Sequence, residues 1–198
     1  MKNKKVWGIE LVLLHDSPVG SIPRGERGQR HAWTYQVRLA QRTTGQSQNP
    51  NKMFISSKEL HARLEEGAAA VMFEMIGNEL GTLQCEINEK KRTITTLLLN
   101  PFEYAPGRQS HPFTDVFARL GLATRLEQRM EEHLLRFFPG YSIQSSPSVS
   151  PLRRSQLEKR GRIVGEAIRL ERALQLSRDH ARKNLEKNRI RPRTPKRK

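Results

Sequence analysis

Ala118-Arg119-Leu120-Gly121-Leu122-Ala123-Thr124-Arg125-Leu126 is the stretch on which the fold turns. A glycine-bearing turn at the start of a helix aims free backbone N–H groups at one point, an arrangement suited to phosphate. The apolar stripe Val116, Leu120, Ala123, Met130, Leu134 and Phe137 predicts a helix that stops at Pro139–Gly140. A competing reading makes Thr114–Phe137 one continuous helix, with Gly121 inside it at a cost of about 1 kcal/mol relative to alanine. The two readings differ in where the helix begins. After it, Tyr141–Ile143 opens a short strand, and the linker SSPSVSP leads to another helix.

Upstream of the stretch the pattern is that of strands. Val6–Leu14 is apolar enough for a central strand, and Trp33, Tyr35, Val37 and Leu39 alternate with polar residues in a second. Between them, residues 16–31 form a glycine- and proline-rich loop. Ser56 with Glu59 reads as a capping box opening a short helix that ends at Gly67. Strands follow at 69–76, 81–88 and 92–99, with turns at Gly77–Asn78 and Asn88–Glu89, which predicts an antiparallel meander. Cys85 alternates with Leu83 and Ile87 into the sheet core. The fold class is therefore α/β of the α+β kind: a mostly antiparallel sheet with packed helices, over residues 1–148.

Downstream the composition changes. The chain is 35% hydrophobic and 28% charged with a net charge of +16. Residues 151–198 hold 17 Lys/Arg against 5 Asp/Glu, whereas residues 1–150 hold 19 against 15. The basicity is a property of the C-terminal quarter. Residues 149–187 read as a basic amphipathic helix, with Ile163, Ala167, Leu170, Leu174, Ala181 and Leu185 along one side. Arg162, Arg169, Arg172, Lys183 and Lys187 lie opposite as a cationic rail. The apolar stripe across 163–185 offers a surface to the domain or to a protein partner. Residues 188–198 form a basic tail too polar to fold alone. The rail and tail residues Arg189, Arg191, Arg193, Lys196, Arg197 and Lys198 suit phosphate contacts. So do Arg24, Arg27 and Arg30 among their glycines. Trp33 and Tyr35 follow directly and, as alternating strand residues, read first as core and second as base-stacking groups.

The order of antiparallel strands, glycine turn, helix, strand and helix resembles the GNAT superfamily of acyl-CoA-dependent N-acetyltransferases, over about residues 69–162. Ser150–Gly161 resembles that family's next helix, which ends in a basic residue followed by glycine. The resemblance implies acetyl-CoA as cofactor. It would be held by Leu98 and Leu99 on the strand at 92–99 and by Arg119, Gly121, Leu122, Ala123 and Thr124 at the helix start. Gly121 and Ala123 match the last two fixed points of the family's pyrophosphate motif, while the first falls on Ala118 rather than Arg or Gln. The strand at 92–99 carries no carboxylate to act as general base, and the later helix carries no tyrosine to act as general acid. A base would have to come from Glu103, Tyr104 or Glu86, and the catalytic residues stay unassigned. The helix, three strands and helix of 57–137 also follow the order of a double-stranded RNA-binding domain, although Thr114–Arg119 lacks that family's lysine cluster.

Other chemistries find no pattern here. The six histidines and Cys85 show no metal-ligand spacing, and there is no Walker A loop, dinucleotide fingerprint or nucleophile elbow. One cysteine fits a reducing compartment, and no stretch reaches the roughly 20 apolar residues of a membrane helix. Met1–Leu14 reads as a first strand rather than a signal peptide, because Glu10 interrupts its apolar run. The expectation is an intracellular protein of the cytoplasm, nucleoid or nucleus that associates with RNA, DNA or a nucleoprotein complex such as a ribosome. Two function classes stand: a GNAT-like acetyltransferase, and a non-enzymatic nucleic-acid-binding subunit that uses the basic arm.

Overall fold

The computed structural model describes residues 5–18, 30–43, 52–64, 79–101, 120–149 and 151–190. Alternating apolar residues in the N-terminal half build the strands. β1 (Lys5–Pro18), β2 (Arg30–Thr43), β4 (Glu79–Asn88) and β5 (Thr93–Pro101) pair antiparallel in that order, and β3 (Lys52–Ile55) closes the outer edge against β1. On the far side β6 (Ser142–Ser145) pairs parallel to β5, and β7 (Ile168–Arg169) pairs antiparallel to β6. The result is one seven-stranded sheet in the order β3-β1-β2-β4-β5-β6-β7. It is mostly antiparallel, as expected, with a single parallel junction where the chain crosses over through a helix.

Helices α1 (Lys58–Arg63), α2 (Leu122–Phe137), α3 (Pro151–Lys159) and α4 (Leu170–Ile190) complete the described elements. Leu122, Leu126, Met130 and Leu134 recur every fourth residue along α2 and are buried. They pack, with Leu60 and Leu64 around α1 and Leu170 and Ala173 of α4, on the sheet face made by Ile9, Leu11, Trp33, Tyr35, Val37, Leu39, Leu83, Cys85, Ile87, Ile94 and Ile143. Burial of this kind contributes about 25 cal/mol per Å² of apolar surface and is what holds α2 on the sheet. The opposite sheet face is polar: Arg42 pairs with Glu10 at 2.9 Å, and Gln144 donates to Thr95 at 3.0 Å.

Several expectations are corrected. The helix expected over 149–187 is two helices, because Gly161 and Gly165 adopt positive φ (72° and 78°) and the intervening chain adds β7 to the sheet. Arg162, Ile163, Ala167 and Arg169 therefore lie outside any helix. The cap of α1 is Ser57, whose side chain accepts from Leu60 N at 3.1 Å. Ser56 instead donates to Trp7 O at 2.6 Å, and Glu59 pairs with Arg63. Trp33 and Tyr35 are buried, which removes them as base-stacking groups. The strand at 69–76, the end of α1 at Gly67 and the turn at Gly77–Asn78 lie outside the described residues.

Candidate functional site at the β5–β6 opening

β5 is paired with β4 from Thr93 to Pro101, but with β6 only from Thr93 to Thr96. The last bond across the parallel junction runs from Ser146 N to Thr96 O at 3.0 Å. Leu97 is an extra residue in the β4–β5 register, which steps from Gln84↔Leu98 to Cys85↔Thr96. Such a bulge bends a strand and re-aims its side chains. Here it falls where β6 leaves β5, and Leu97 is 44% exposed beside the opening. Thr96 and Ser145 close its floor: Thr96 Oγ1 donates to Gln144 O at 3.2 Å, and Ser145 Oγ accepts from Gly165 N at 3.2 Å. Below them, a cavity of about 180 Å³ is lined by Thr96, Ser145, Leu157, Arg162 and Glu166 among others.

The helix on this crossover starts at Leu122, so the continuous-helix reading from Thr114 gives way to a turn at Gly121. Gly121 is the N-cap at φ 64°, ψ 21°, with no side chain to satisfy the first turn. Its carbonyl accepts from Arg125 N at 3.1 Å. The amides of Leu122, Ala123 and Thr124 have no acceptor within the helix, and the helix dipole adds partial positive charge there. A Cβ built on Gly121 would meet nothing within 4 Å, so the turn faces open space. Leu122 buries its side chain in the core and offers only its backbone; Ala123 is exposed. Leu98 and Leu99 lie on β5 just past the divergence, their side chains outside the described residues. Arg119, Glu103 and Tyr104 also lie outside them.

Behind this turn is a cluster that the sequence pattern does not announce. Glu127 and Glu131 are one turn apart on α2, and both are buried. Glu127 accepts from Arg153 of α3, at 3.0 Å through one oxygen, and from Arg160. Glu131 accepts from Arg162 Nη2 at 2.6 Å and from Ser177 Oγ of α4 at 3.3 Å. Arg162 also donates to Ser177 Oγ at 3.0 Å and to Ala173 O at 2.9 Å. Arg160 reaches forward to Thr124 Oγ1 at 2.7 Å, in the first turn of α2. Three guanidiniums thus face two carboxylates, and the excess positive charge lies next to the open amides. Although burial opposes ionisation, the arginines hold Glu127 down at about 2. At Glu131 burial wins and the carboxyl is raised, despite Arg162. Both are closed in by protein and act as struts between helices, not as acid or base. The clue in the sequence is an i, i+4 pair of glutamates flanking an apolar stripe, matched by arginines at 153, 160 and 162.

No match to this chain is found among protein-family models, curated proteins or solved structures.

The residues expected to bind nucleic acid are distributed differently from the pattern expected of one helix. Arg162 is buried in the cluster, so it leaves the proposed rail. Arg169 is exposed on β7 and donates to Gly140 O. Arg172 and Lys183 are exposed on α4. Arg30 starts β2 and pairs with Glu86 at 2.6 Å, which also ties up one of the three groups named as a base. Lys187 and Arg189 lie in α4 with side chains outside the described residues. Arg24, Arg27, Arg191, Arg193, Lys196, Arg197 and Lys198 lie outside the described residues altogether. Of the apolar stripe, Leu170 and Leu174 are buried against the domain, Ala181 is half-buried, Leu185 is undescribed at its side chain, and Ile163 is 67% exposed. Among the described residues no group of three or more His, Cys, Asp or Glu converges on a metal position, and no helix is long and apolar enough to cross a membrane.

Proposed function

We propose that the chain binds a coenzyme A thioester at the β5–β6 opening and is a GNAT-like acyltransferase. One observation carries this reading: the parallel strands part at the Leu97 bulge beside a glycine-led helix start on the same crossover. An extended pantetheine arm needs unpaired strand edge to bond to, and β5 offers it past Thr96. A pyrophosphate needs convergent donors, and Leu122, Ala123 and Thr124 supply backbone amides backed by the net positive arginine cluster. The exposed Leu97 gives the arm an apolar wall. An intracellular location, where both the thioester and nucleic acid occur, belongs to the same reading.

Titration with acetyl-CoA followed by thermal unfolding tests it. Ligand at about 100 times its dissociation constant adds about 2.7 kcal/mol of stability, a shift of several degrees for a domain of this size. Gly121→Val places a β-branched residue at positive φ in the path of the ligand and should remove the shift. Gly121→Asn tolerates that φ, so its melting point should stay near wild type while the shift weakens. Release of free thiol from acetyl-CoA separates transfer from binding. The absence of any shift at saturating acetyl-CoA would sink the reading.

The second reading is nucleic-acid binding by the C-terminal arm. What favours it is the division of α4 into a buried side, with Leu170, Ala173, Leu174 and Ser177, and an exposed side bearing Arg172, Arg182 and Lys183. A helix anchored in this way presents its cations without further folding cost.

A further inference from the structure

The end of the sheet opposite Gly121 gathers aromatic rings and cations from turns that are distant in sequence. Phe137 and Phe138 end α2, Tyr141 precedes β6, and Trp33 lies near the start of β2. Trp33 is edge-on to Phe137 and Phe138, with centroids 5.3 and 5.0 Å away, and Phe138 is 5.2 Å from Tyr141. The inner rings pack into the core, but Phe137 at the rim is 51% exposed. Arg92, in the β4–β5 turn, lies over Tyr141 at 5.5 Å. Arg92 and Arg169 flank Gly140, their guanidinium nitrogens 3.7 and 3.8 Å from where its Cβ would be. Lys90, Lys91 and Arg172 are exposed on the same turn and on α4. Against these stand Glu89 and Glu171, the latter engaged by Gly140 N at 3.1 Å.

Two of these positions hold residues that the fold itself does not ask for. Arg92 has φ 51°, a left-handed conformation that asparagine or glycine would adopt with less strain. Phe137, at the last residue of α2, exposes half of a ring where a polar side chain would be favoured. An exposed aromatic face rimmed by arginines matches unpaired bases on a phosphate backbone: the ring stacks on any base and the cations follow the strand. We propose that this end of the sheet binds single-stranded nucleic acid, with Phe137 stacking on a base and Arg92 and Arg169 contacting the flanking phosphates. This extends the second reading above from phosphate to base, at a surface that the arm does not contain.

The test uses the full chain and fluorescence anisotropy with labelled oligodeoxythymidylate, an abasic strand of equal length and polyglutamate as competitor. Wild type should bind the thymidylate more tightly than the abasic strand. Phe137→Leu keeps the apolar packing and should weaken thymidylate binding roughly tenfold or more, leaving abasic binding unchanged. Arg92→Asn relieves the positive φ while removing the cation, and together with Arg169→Gln should lower the salt slope by about 0.7 per arginine. If Phe137→Leu does not fold, Arg92→Asn carries the test alone. Equal affinity for abasic and thymidylate strands, indifference to Phe137→Leu, or equal competition by polyglutamate would each overturn the proposal while leaving the arm's phosphate binding standing. Failure of wild type to bind either strand at low salt would overturn both.

Discussion

Glu127 and Glu131 share one arginine cage, yet their ionisation is displaced in opposite directions. Glu127 is held at about 2, below its unfolded value of about 4.3, so the unfolded chain binds the proton first. Its contribution is complete above that unfolded value and fades as pH falls toward 2. Glu131 is raised, so its contribution is complete below the unfolded value and fades as pH rises through its folded pKa. Glu127→Gln should lower unfolding stability at pH 7 by roughly 3 kcal/mol, since it leaves Arg153 and Arg160 short of a buried counter-charge. It should also flatten the acid limb of the stability profile between about pH 4.5 and 2. Glu131→Gln keeps an acceptor for Arg162 and should cost less. Denaturant melts of both variants across pH check the order, and equal costs would contradict the assigned asymmetry.

At the scale of the element, α4 shows what is and is not legible in the sequence. The spacing of Leu170 and Leu174 predicts a docking side, and both are buried. Ile163 and Ala167 continue the same spacing by coincidence, because the chain there is a turn leading into β7. Periodicity cannot report a break that Gly161 and Gly165 make. Arg162 looks solvent-facing on one helical wheel because its partner Glu131 is 31 residues away, and a wheel cannot show that pairing. The strands are more legible: the alternation of Leu83, Cys85 and Ile87 needs only one neighbouring strand to have meaning. The opening at Thr96 is not legible, since a bulge depends on register with β4. Leu170→Asp puts a charge into the core and should cost more than about 3 kcal/mol, with faster amide exchange along α4. Arg172→Asp, on the exposed side, should change stability by less than about 0.5 kcal/mol.

Over the whole molecule, charge is segregated. Residues 151–198 carry most of the net +16, but Arg153, Arg160 and Arg162 are committed to the buried glutamates. The charge that remains for a polyanion is therefore concentrated on α4 and in residues 191–198. Removal of 191–198 deletes Arg191, Arg193, Lys196, Arg197 and Lys198. The salt slope of duplex binding should then fall by up to about 0.9 for each phosphate that the tail no longer neutralises, with little change in sequence preference. Filter binding over a salt series measures it, and an unchanged slope would show that the tail touches no phosphate.

The parallel junction also has a kinetic side. β1, β2, β4 and β5 meet through antiparallel neighbours, while β6 reaches β5 only after the chain has travelled from Pro101 to Ser142. Closing that long loop costs entropy before its four-residue ladder gives anything back. Pairing of β6, and with it assembly of the glutamate–arginine cage, then belongs late on the folding path. Substitutions in the cage should accelerate unfolding and leave the refolding rate nearly untouched. The acyl-binding opening would accordingly be the last part of the protein to form and the first to come apart.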